Sequence, residues 1–211
     1  MSSGGRKLRN DSDVPAEASR LLLVRHATAE GNGRFLGQQD VPLRTAARRE
    51  LRLLAQKCSG FPVSAVYSSD LRRARQTAEA IARPLGLEVE LRPELREMHL
   101  GEWQGLDWDE ITRRFPRLAT SWIERFPRQP IPAAEPIQEF AWRVAAVMGE
   151  IVRANRGRCA LVVTHAGVIR CALGQALGVP LGKMFRLAQD CCAINVIDYF
   201  EQGATVRCVN G

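Results

Sequence analysis

The stretch Leu21-Leu22-Leu23-Val24-Arg25-His26-Ala27 decides the fold, because a short apolar run is followed directly by an arginine and a histidine. The pattern recurs at Ala160-Leu161-Val162-Val163-Thr164-His165-Ala166-Gly167. A short apolar run bounded by polar residues is typical of a strand that is buried on both faces. Ligands of open α/β sheets bind beyond the carboxyl ends of such strands. The sequence therefore predicts two imidazoles at the ligand-binding edge of one sheet, with a structural core histidine as the alternative at each position.

Predicted strands and helices alternate along the rest of the chain. The predicted strands lie at residues 20–25, 65–67, 87–91, 159–164, 192–199 and 204–209. The predicted helices lie at about 45–58, 71–85 and 136–155, with another that starts at Gly167. Thr45 and the stretch Ser68-Ser69-Asp70 supply side chains that commonly cap helix N-termini. This order predicts an α/β fold with a mostly parallel central sheet and helices on both faces.

The length of 211 residues fits one domain with an excursion. Residues 1–19 are polar and lack hydrophobic periodicity, which predicts a disordered tail or a remnant of cloning. Residues 20–211 are expected to form a single domain. Within this domain, the segment at about 106–136 predicts a mainly helical insertion, which ends in a proline-rich loop at 127–136.

The positive charge of the chain lies on its folded body. The formal net charge is +7, and residues 1–20 hold four basic and three acidic side chains. A basic body suits an anionic partner such as a phosphate ester, a nucleic acid or an acidic lipid, and charge alone does not choose among them. No motif that combines aromatic and basic residues for RNA binding is visible, so we expect no nucleic-acid partner.

The six cysteines predict free thiols rather than disulfides or a metal site. None forms a C-x-x-C pair, and no histidine–cysteine cluster has zinc spacing, so no metal is expected. The first apolar segment is too short for a signal peptide, and no segment approaches the length of a membrane span. We therefore expect a reduced, cytoplasmic protein without a membrane partner.

The pair Arg25-His26, at the end of the first strand, suits a reaction at a phosphate group. A neutral imidazole is a good nucleophile toward phosphorus, and the phosphoramidate that it forms is labile in turn. The planar guanidinium groups of Arg25 and Arg73 match the geometry of a phosphate. Arg73 also falls in the first turn of a predicted helix, whose N-terminus adds positive potential. A solvated surface arginine is the alternative for Arg73, because its segment holds three arginines.

Further polar residues are candidates for supporting roles. A protonated His165 can donate a hydrogen bond to a phosphoryl oxygen. Asn32 and Gln38 are amide donors in the loop after the first strand, although each also suits a turn. A leaving alkoxide needs a proton, and spacing alone does not choose between Glu97 and Glu102 as its source.

Four motifs follow one another from about residue 20 to the end of the chain. They are Leu-Val-Arg-His-x-x-x-x-x-Asn at 23–32, Ser-x-Leu-x-Arg-Ala-x-x-Thr-Ala at 69–78, Leu-x-Glu-x-x-x-Gly-x-Trp-x-Gly at 95–105 and Val-x-His-x-Gly-Val at 163–168. Each motif is modest alone, but together and in this order the chain resembles the histidine phosphatase superfamily, the phosphoglycerate mutase-like proteins.

This resemblance implies roles for particular residues. His26 would be the phosphorylated nucleophile, and Glu97 would be the proton donor and later the base. The implied phosphate pocket consists of Arg25, Asn32, Arg73 and His165. The remaining substrate-binding candidates are Gln38, Gly37 and Ala166. No cofactor is implied.

Two positions depart from the usual pattern of the family. Ala27 stands where glycine is common and Thr28 where glutamate is common, but alanine after the histidine also occurs in the family. The resemblance is closer to the phosphatase branch, with its α-ribazole and broad-specificity phosphatases, than to the glycolytic mutases. In that branch the insertion at 106–136 forms a lid over the substrate. The candidates for lid contacts are Trp108, Phe115, Trp122 and Arg125, with core packing as the alternative for the tryptophans.

The resulting prediction is a metal-independent phosphomonoesterase that hydrolyses a small phosphorylated metabolite through a phosphohistidine. A phosphomutase that keeps the phosphoenzyme from water is an alternative within the same family. A basic anion- or RNA-binding protein without catalysis is an alternative of a different class, and a catalytically silent regulator is another. The natural substrate and the oligomeric state, with a homodimer among the alternatives, stay open.

Overall fold

A mixed sheet forms the centre of the protein. The computed structural model describes residues 14–125, 128 and 130–211, without the side chains of residues 123–125, and within them this sheet has six strands. The strands are β1 (Ser19–Arg25), β2 (Val63–Ser68), β3 (Val89–Leu91), β4 (Cys159–Thr164), β5 (Ile194–Phe200) and β6 (Gly203–Cys208). Their order across the sheet is β3-β2-β4-β1-β5-β6. The first four of this order run parallel, whereas β5 and β6 are antiparallel to their neighbours.

Helices cover both faces of the sheet, as the sequence predicted. They are α1 (Arg48–Cys58), α2 (Arg72–Leu85), α3 (Trp108–Arg114), α4 (Pro116–Arg125), α5 (Ile137–Ala154) and α6 (Ala166–Leu177). On one face Leu22 and Val24 pack in the same cluster as Leu54 of α1 and buried residues of α2. On the other face Leu21 and Leu23 pack with buried residues of α5 and α6. All three leucines of β1 are fully buried, and burial of such a side chain contributes about 1.5–3 kcal/mol.

The register between β1 and β4 places the two predicted histidines at one edge. The strands are parallel, and Arg25 is the register partner of Thr164. Each strand ends at this pair, so His26 and His165 are the next residues of their chains on the same side of the sheet. The backbone N–H of His26 donates to the carbonyl of Thr164 at 3.0 Å, which holds the two ends together.

The predicted caps of α1 and α2 are wrong. Thr45 begins a 3-10 turn, Thr45–Ala47, and the N-cap of α1 is Ala47. The N-cap of α2 is Leu71, again without a side-chain hydrogen bond. The polar side chains before α2 have other partners, because Asp70 forms an ion pair with Arg96 and Ser69 contacts His165. The polar side chains that suggested a cap before α2 form long-range contacts instead.

Helices α3 and α4 occupy much of the predicted insertion. Helix α3 starts with a capping box, in which Asp107 accepts from the Glu110 N–H and the Glu110 carboxylate accepts from the Asp107 N–H. The predicted loop at 127–136 is only partly covered, since residues 127 and 129 lie outside the described residues. Most of the predicted tail at 1–19 also lies outside them, and β1 begins at Ser19. None of the described helices is long and apolar enough to cross a membrane.

Candidate active site

His26 is a buried, electrically neutral imidazole directly after β1. Its Nδ1 lies 2.7 Å from the carbonyl oxygen of Ala27, which can only accept, so Nδ1 carries the ring proton. Nε2 then accepts a hydrogen bond from Arg73 Nε at 3.2 Å. Burial, and after it the positive charges of Arg73 and Arg25, lower the pKa of His26 to about 3. At neutral pH the ring is therefore neutral, and its Nε2 lone pair can attack once the Arg73 N–H turns from Nε2 to a phosphate oxygen.

Arg73 links His26 to the loop that follows β1. Its side chain is almost fully buried near the start of α2. One terminal amino group donates to the Gln39 carbonyl at 2.6 Å and the other to the Gly37 carbonyl at 2.7 Å. Arg73 therefore brings a positive charge beside His26 and fixes the backbone of the loop at the same time.

Arg25 has a buried donor without a partner. Its Nη1 donates to the Gln189 carbonyl at 2.5 Å. Its Nε is buried and has no hydrogen-bond partner among the residues that the structure describes. A buried guanidinium N–H without a partner is costly, and an oxygen of a bound phosphate would satisfy it.

His165 presents a second buried donor beside His26. The ring centroids of the two histidines are 5.2 Å apart. His165 Nε2 lies 2.9 Å from the hydroxyl of Ser69, whereas Nδ1 is buried without a partner in the described part of the chain. Burial, followed by the charges of Arg73 and other cations, holds the pKa of His165 well below its usual range. In its neutral form His165 can donate through a single ring N–H.

Glu97 is the acidic side chain that the structure places in this cavity. Its carboxylate accepts backbone hydrogen bonds from Met98 at 2.9 Å and from Gly167 at 3.0 Å, near the start of α6. A Cβ at position 167 would lie 2.1 Å from a Glu97 oxygen, so any larger residue there would displace the carboxylate. Glu102 is exposed and does not line the cavity. The structure therefore favours Glu97 over Glu102 as the proton source, a choice that spacing alone did not allow.

The predicted substrate-binding residues divide into two groups. Asn32, Gly37 and Ala166 line the cavity with His26. Gln38 is placed differently, because its side-chain amide donates to the Glu97 carbonyl at 3.0 Å and it is absent from the described lining. In this position Gln38 supports the backbone that carries Glu97.

The predicted lid residues also divide. Trp122 is nearly buried and lines the cavity. Trp108 stays 39% exposed and packs edge-on against Trp103, which Phe115 also contacts. The side chain of Arg125 lies outside the described part of the structure.

Several residues at the site were missed by the sequence analysis. The Thr77 hydroxyl accepts from the Ala27 N–H at 3.1 Å, and the Glu50 carboxylate accepts from the Thr28 N–H at 2.9 Å. The side-chain oxygen of Gln104 accepts from the Gln38 N–H at 2.7 Å. Thr77 is a specified position of the motif at 69–78, so that motif carried a signal for it. Gln104 falls on an unspecified position of the motif at 95–105, and nothing in the sequence marked Glu50.

The described residues offer no obvious metal site and no activated thiol. No group of three or more His, Cys, Asp or Glu side chains within the described ranges could hold a metal ion. All six cysteines are free, and burial raises the pKa of Cys58 and Cys159 to about 12. Such thiols stay protonated and poorly nucleophilic at neutral pH.

Comparison with known proteins agrees with this geometry. The sequence model of the histidine phosphatase superfamily (branch 1) matches residues 21–211. The chain belongs to this superfamily. It is 32% identical over 182 residues to "Probable phosphoglycerate mutase GpmB" of Photorhabdus laumondii, with 85% of each chain covered. It is 29% identical over 193 residues to phosphoserine phosphatase 1 of Hydrogenobacter thermophilus, with 90% of this chain and 92% of that protein covered.

A solved structure gives the same result at the level of the fold. The mycobacterial glucosyl-3-phosphoglycerate phosphatase superposes with a TM-score of 0.82 at 26% identity, and the match covers 92% of this chain and 99% of that one. The superfamily, the phosphatase relatives and the matching fold identify this histidine phosphatase as an enzyme of the phosphatase type.

Proposed function

We propose that this histidine phosphatase is a metal-independent phosphomonoesterase, which hydrolyses a small phosphorylated metabolite through a phosphohistidine on His26. One observation supports this most directly. Two buried nitrogen atoms near the unprotonated Nε2 of His26, Arg25 Nε and His165 Nδ1, have no hydrogen-bond partner among the described residues. With the ring proton of His165 on Nδ1, a phosphoryl group bound at Nε2 would supply acceptor oxygens to both.

In the first step, His26 Nε2 attacks the phosphorus atom and the bond between phosphorus and the ester oxygen breaks. The Glu97 carboxyl group donates its proton to the leaving oxygen, and the alcohol product then departs from the enzyme. Arg25, Arg73 and His165 stabilise the charge on the equatorial oxygens in the transition state.

In the second step, Glu97 as a carboxylate accepts a proton from water while the water oxygen attacks phosphorus. The bond between Nε2 and phosphorus breaks, which releases orthophosphate and restores neutral His26 and protonated Glu97. The low pKa of His26 favours this step, because the departing imidazole is stable without a proton in this environment.

The size of the cavity supports a small substrate. Its volume is about 190 Å³, which is below the range of pockets for drug-sized ligands. The names of the relatives, a phosphoserine phosphatase and a glucosyl-3-phosphoglycerate phosphatase, also describe small phosphate esters.

The decisive experiment is to trap the phosphoenzyme. After brief incubation with a ³²P-labelled ester and acid-free denaturation, we expect label that is stable to base and labile to acid. The chain has three histidines, so His26→Ala should abolish the label, and His99→Ala, outside the cavity lining, should retain it. Label that survives in His26→Ala, or that is labile to base, would refute the proposed route. His26→Ala should also lower kcat/KM on the order of a thousandfold or more.

A phosphomutase is the second candidate, because a relative carries that name. The lifetime of the phosphoenzyme separates the two functions. A phosphatase loses the label to water within a turnover, whereas a mutase keeps it until a second hydroxyl compound binds and accepts the phosphoryl group.

A further inference from the structure

The lining of the cavity beside His26 combines polar and apolar side chains. Its polar groups include Arg25, His26, Arg73 and Glu97. Its large apolar side chains include Phe35, Leu36, Met98, Trp122, Met184 and Phe185. The chemistry proposed above uses none of these six side chains.

This apolar wall is assembled from separate parts of the chain. Phe35 and Leu36 come from the loop after β1, Trp122 from α4 and Phe185 from the turn Leu181–Arg186. The rings of Trp122 and Phe185 lie 4.9 Å apart, and those of Phe35 and Trp122 lie 6.4 Å apart. Met184 and Trp122 are nearly buried by neighbouring groups. Contacts between segments therefore hold the wall in place, as in a preformed binding surface.

The two further cations of the lining are engaged with the protein. Arg34 donates to the Glu110 carboxylate at 2.8 Å and lies 3.4 Å from that of Asp107. Arg170 donates through Nε to the Leu187 carbonyl at 2.8 Å, and its guanidinium lies over the Phe185 ring at 5.6 Å. Two carboxylates offset the charge of Arg34, whereas a carbonyl and an aromatic face hold the guanidinium of Arg170 in place.

We infer that the enzyme favours monoesters whose alcohol part is apolar, an alkyl chain or an aromatic ring. This inference rests on the proposed phosphatase function. The phosphoryl group lies at His26, and the alcohol part lies against Phe35, Trp122 and Phe185. The gain comes from the removal of apolar surface from water, so it grows with the length of the alcohol.

The test is a series of ethyl, butyl and hexyl phosphates, with phosphoserine as a charged comparison. The leaving alcohols of the alkyl series differ little in acidity, so differences in kcat/KM report binding of the chain. We expect kcat/KM to rise about fourfold for each buried methylene, or on the order of a hundredfold from ethyl to hexyl phosphate. Phosphoserine should resemble ethyl phosphate or be poorer.

Variants of the wall should flatten this dependence. In Phe185→Ala and Leu36→Ala the ratio of hexyl to ethyl kcat/KM should fall at least severalfold. This ratio does not depend on the amount of folded enzyme, so partial misfolding cannot imitate the effect. Trp142→Ala is the matched control, because Trp142 is 65% exposed on α5 and does not line the cavity. It should keep the wild-type ratio.

The outcomes distinguish this inference from the function on which it rests. If all esters are hydrolysed at similar rates, or phosphoserine is preferred over hexyl phosphate, the selectivity inference is overturned and the phosphatase function stands. If no ester is hydrolysed and no label forms on His26, the phosphatase function itself fails. A chain-length dependence that Phe185→Ala and Leu36→Ala leave unchanged would place the apolar site elsewhere.

Discussion

The Ser69 hydroxyl lies 2.9 Å from Nε2 of His165, and both residues are buried. Ser69 Oγ also accepts from the Leu71 N–H at 3.3 Å and has one proton of its own to donate. We expect this proton to be donated to Nε2 of the neutral ring, which places the ring proton of His165 on Nδ1. In that tautomer His165 presents an N–H at the buried position beside His26.

Ser69→Ala should therefore weaken catalysis through His165. Without the hydroxyl, the ring proton of His165 redistributes between its nitrogens, and the donor toward the phosphoryl oxygen is lost in part. We expect kcat to fall on the order of tenfold to a hundredfold, with a smaller change in KM, since the donor acts most on the transition state. Steady-state kinetics and ¹⁵N–¹H spectra of the imidazoles, which report the tautomer, measure both effects.

Ser68→Ala is the matched control for Ser69→Ala. Ser68 is equally buried, but its hydroxyl donates to the Ser69 carbonyl at 2.8 Å and does not contact His165. Both variants should lose stability of about 1 kcal/mol. Only Ser69→Ala should change kcat and the His165 spectrum. Equal losses of kcat in the two variants would mean that Ser69 has a structural role alone.

Glu97→Gln should separate proton transfer from phosphoryl transfer. An amide cannot protonate an alkoxide or activate water, so alkyl phosphates should react slowly in the first step. An aryl phosphate with an acidic phenol needs no such proton, so it should phosphorylate His26 and then stall. Stopped-flow absorbance should show a burst of phenol close to the enzyme concentration, followed by slow turnover.

The control for this burst is Glu102→Gln, because Glu102 is exposed and outside the cavity lining. It should hydrolyse both ester classes at wild-type rates. A burst in Glu102→Gln together with normal kinetics in Glu97→Gln would transfer the proton-transfer role to Glu102.

Activity should survive removal of divalent metals. Two guanidinium groups and two imidazoles can stabilise the phosphoryl charge that a metal ion neutralises in other phosphatases. We expect the same kcat/KM before and after dialysis against EDTA. Loss of activity that magnesium or zinc restores would contradict a metal-independent mechanism.

The buried histidine His26 should make stability depend on pH. Its pKa is about 3 in the folded protein and near its ordinary value of 6.5 in the unfolded chain. Between these values only the unfolded state binds the proton, so the free energy of unfolding falls as the pH is lowered from about 7 to 4. The contribution has an upper limit of about 1.4 kcal/mol per pH unit.

Urea unfolding of the wild type and His26→Ala across this pH range measures that contribution. The variant should show a shallower loss of stability at low pH, whereas Ser68→Ala should keep the wild-type slope. Parallel curves for the wild type and His26→Ala would mean that His26 is protonated in the folded state at mildly acidic pH.

The strands that carry the site were the most predictable part of the fold. The apolar run at 159–164 coincides with β4, because a strand buried on both faces needs uninterrupted apolar residues. The partners of Ser69 and Asp70 could not be read from the sequence. The same polar side chains suit a local helix cap and a long-range contact. The packing of β4 against β2 brings His165 to Ser69, and the segment after β3 brings Arg96 to Asp70.

Site residues were predictable where chemistry demanded a particular side chain. Arg25, His26, Glu97 and His165 all lie at the cavity or beside it. The direction of a flexible side chain was not predictable, as with Gln38, whose amide contacts the Glu97 carbonyl. Nor was the charge of His165, because the pKa of an imidazole depends on burial and on cations brought from distant segments.

The position of β4 between β2 and β1 has a consequence for the synthesis of the chain. A nascent polypeptide that has not yet reached Cys159 holds β1 and β2 without the strand that joins them. Each then offers an unpaired apolar edge, the kind of surface that chaperones cover and that promotes aggregation. Because the strand that joins β1 to β2 is followed at once by His165, no fragment can contain the complete site before these strands are joined. Premature termination should therefore leave inactive and aggregation-prone fragments rather than partly active enzyme.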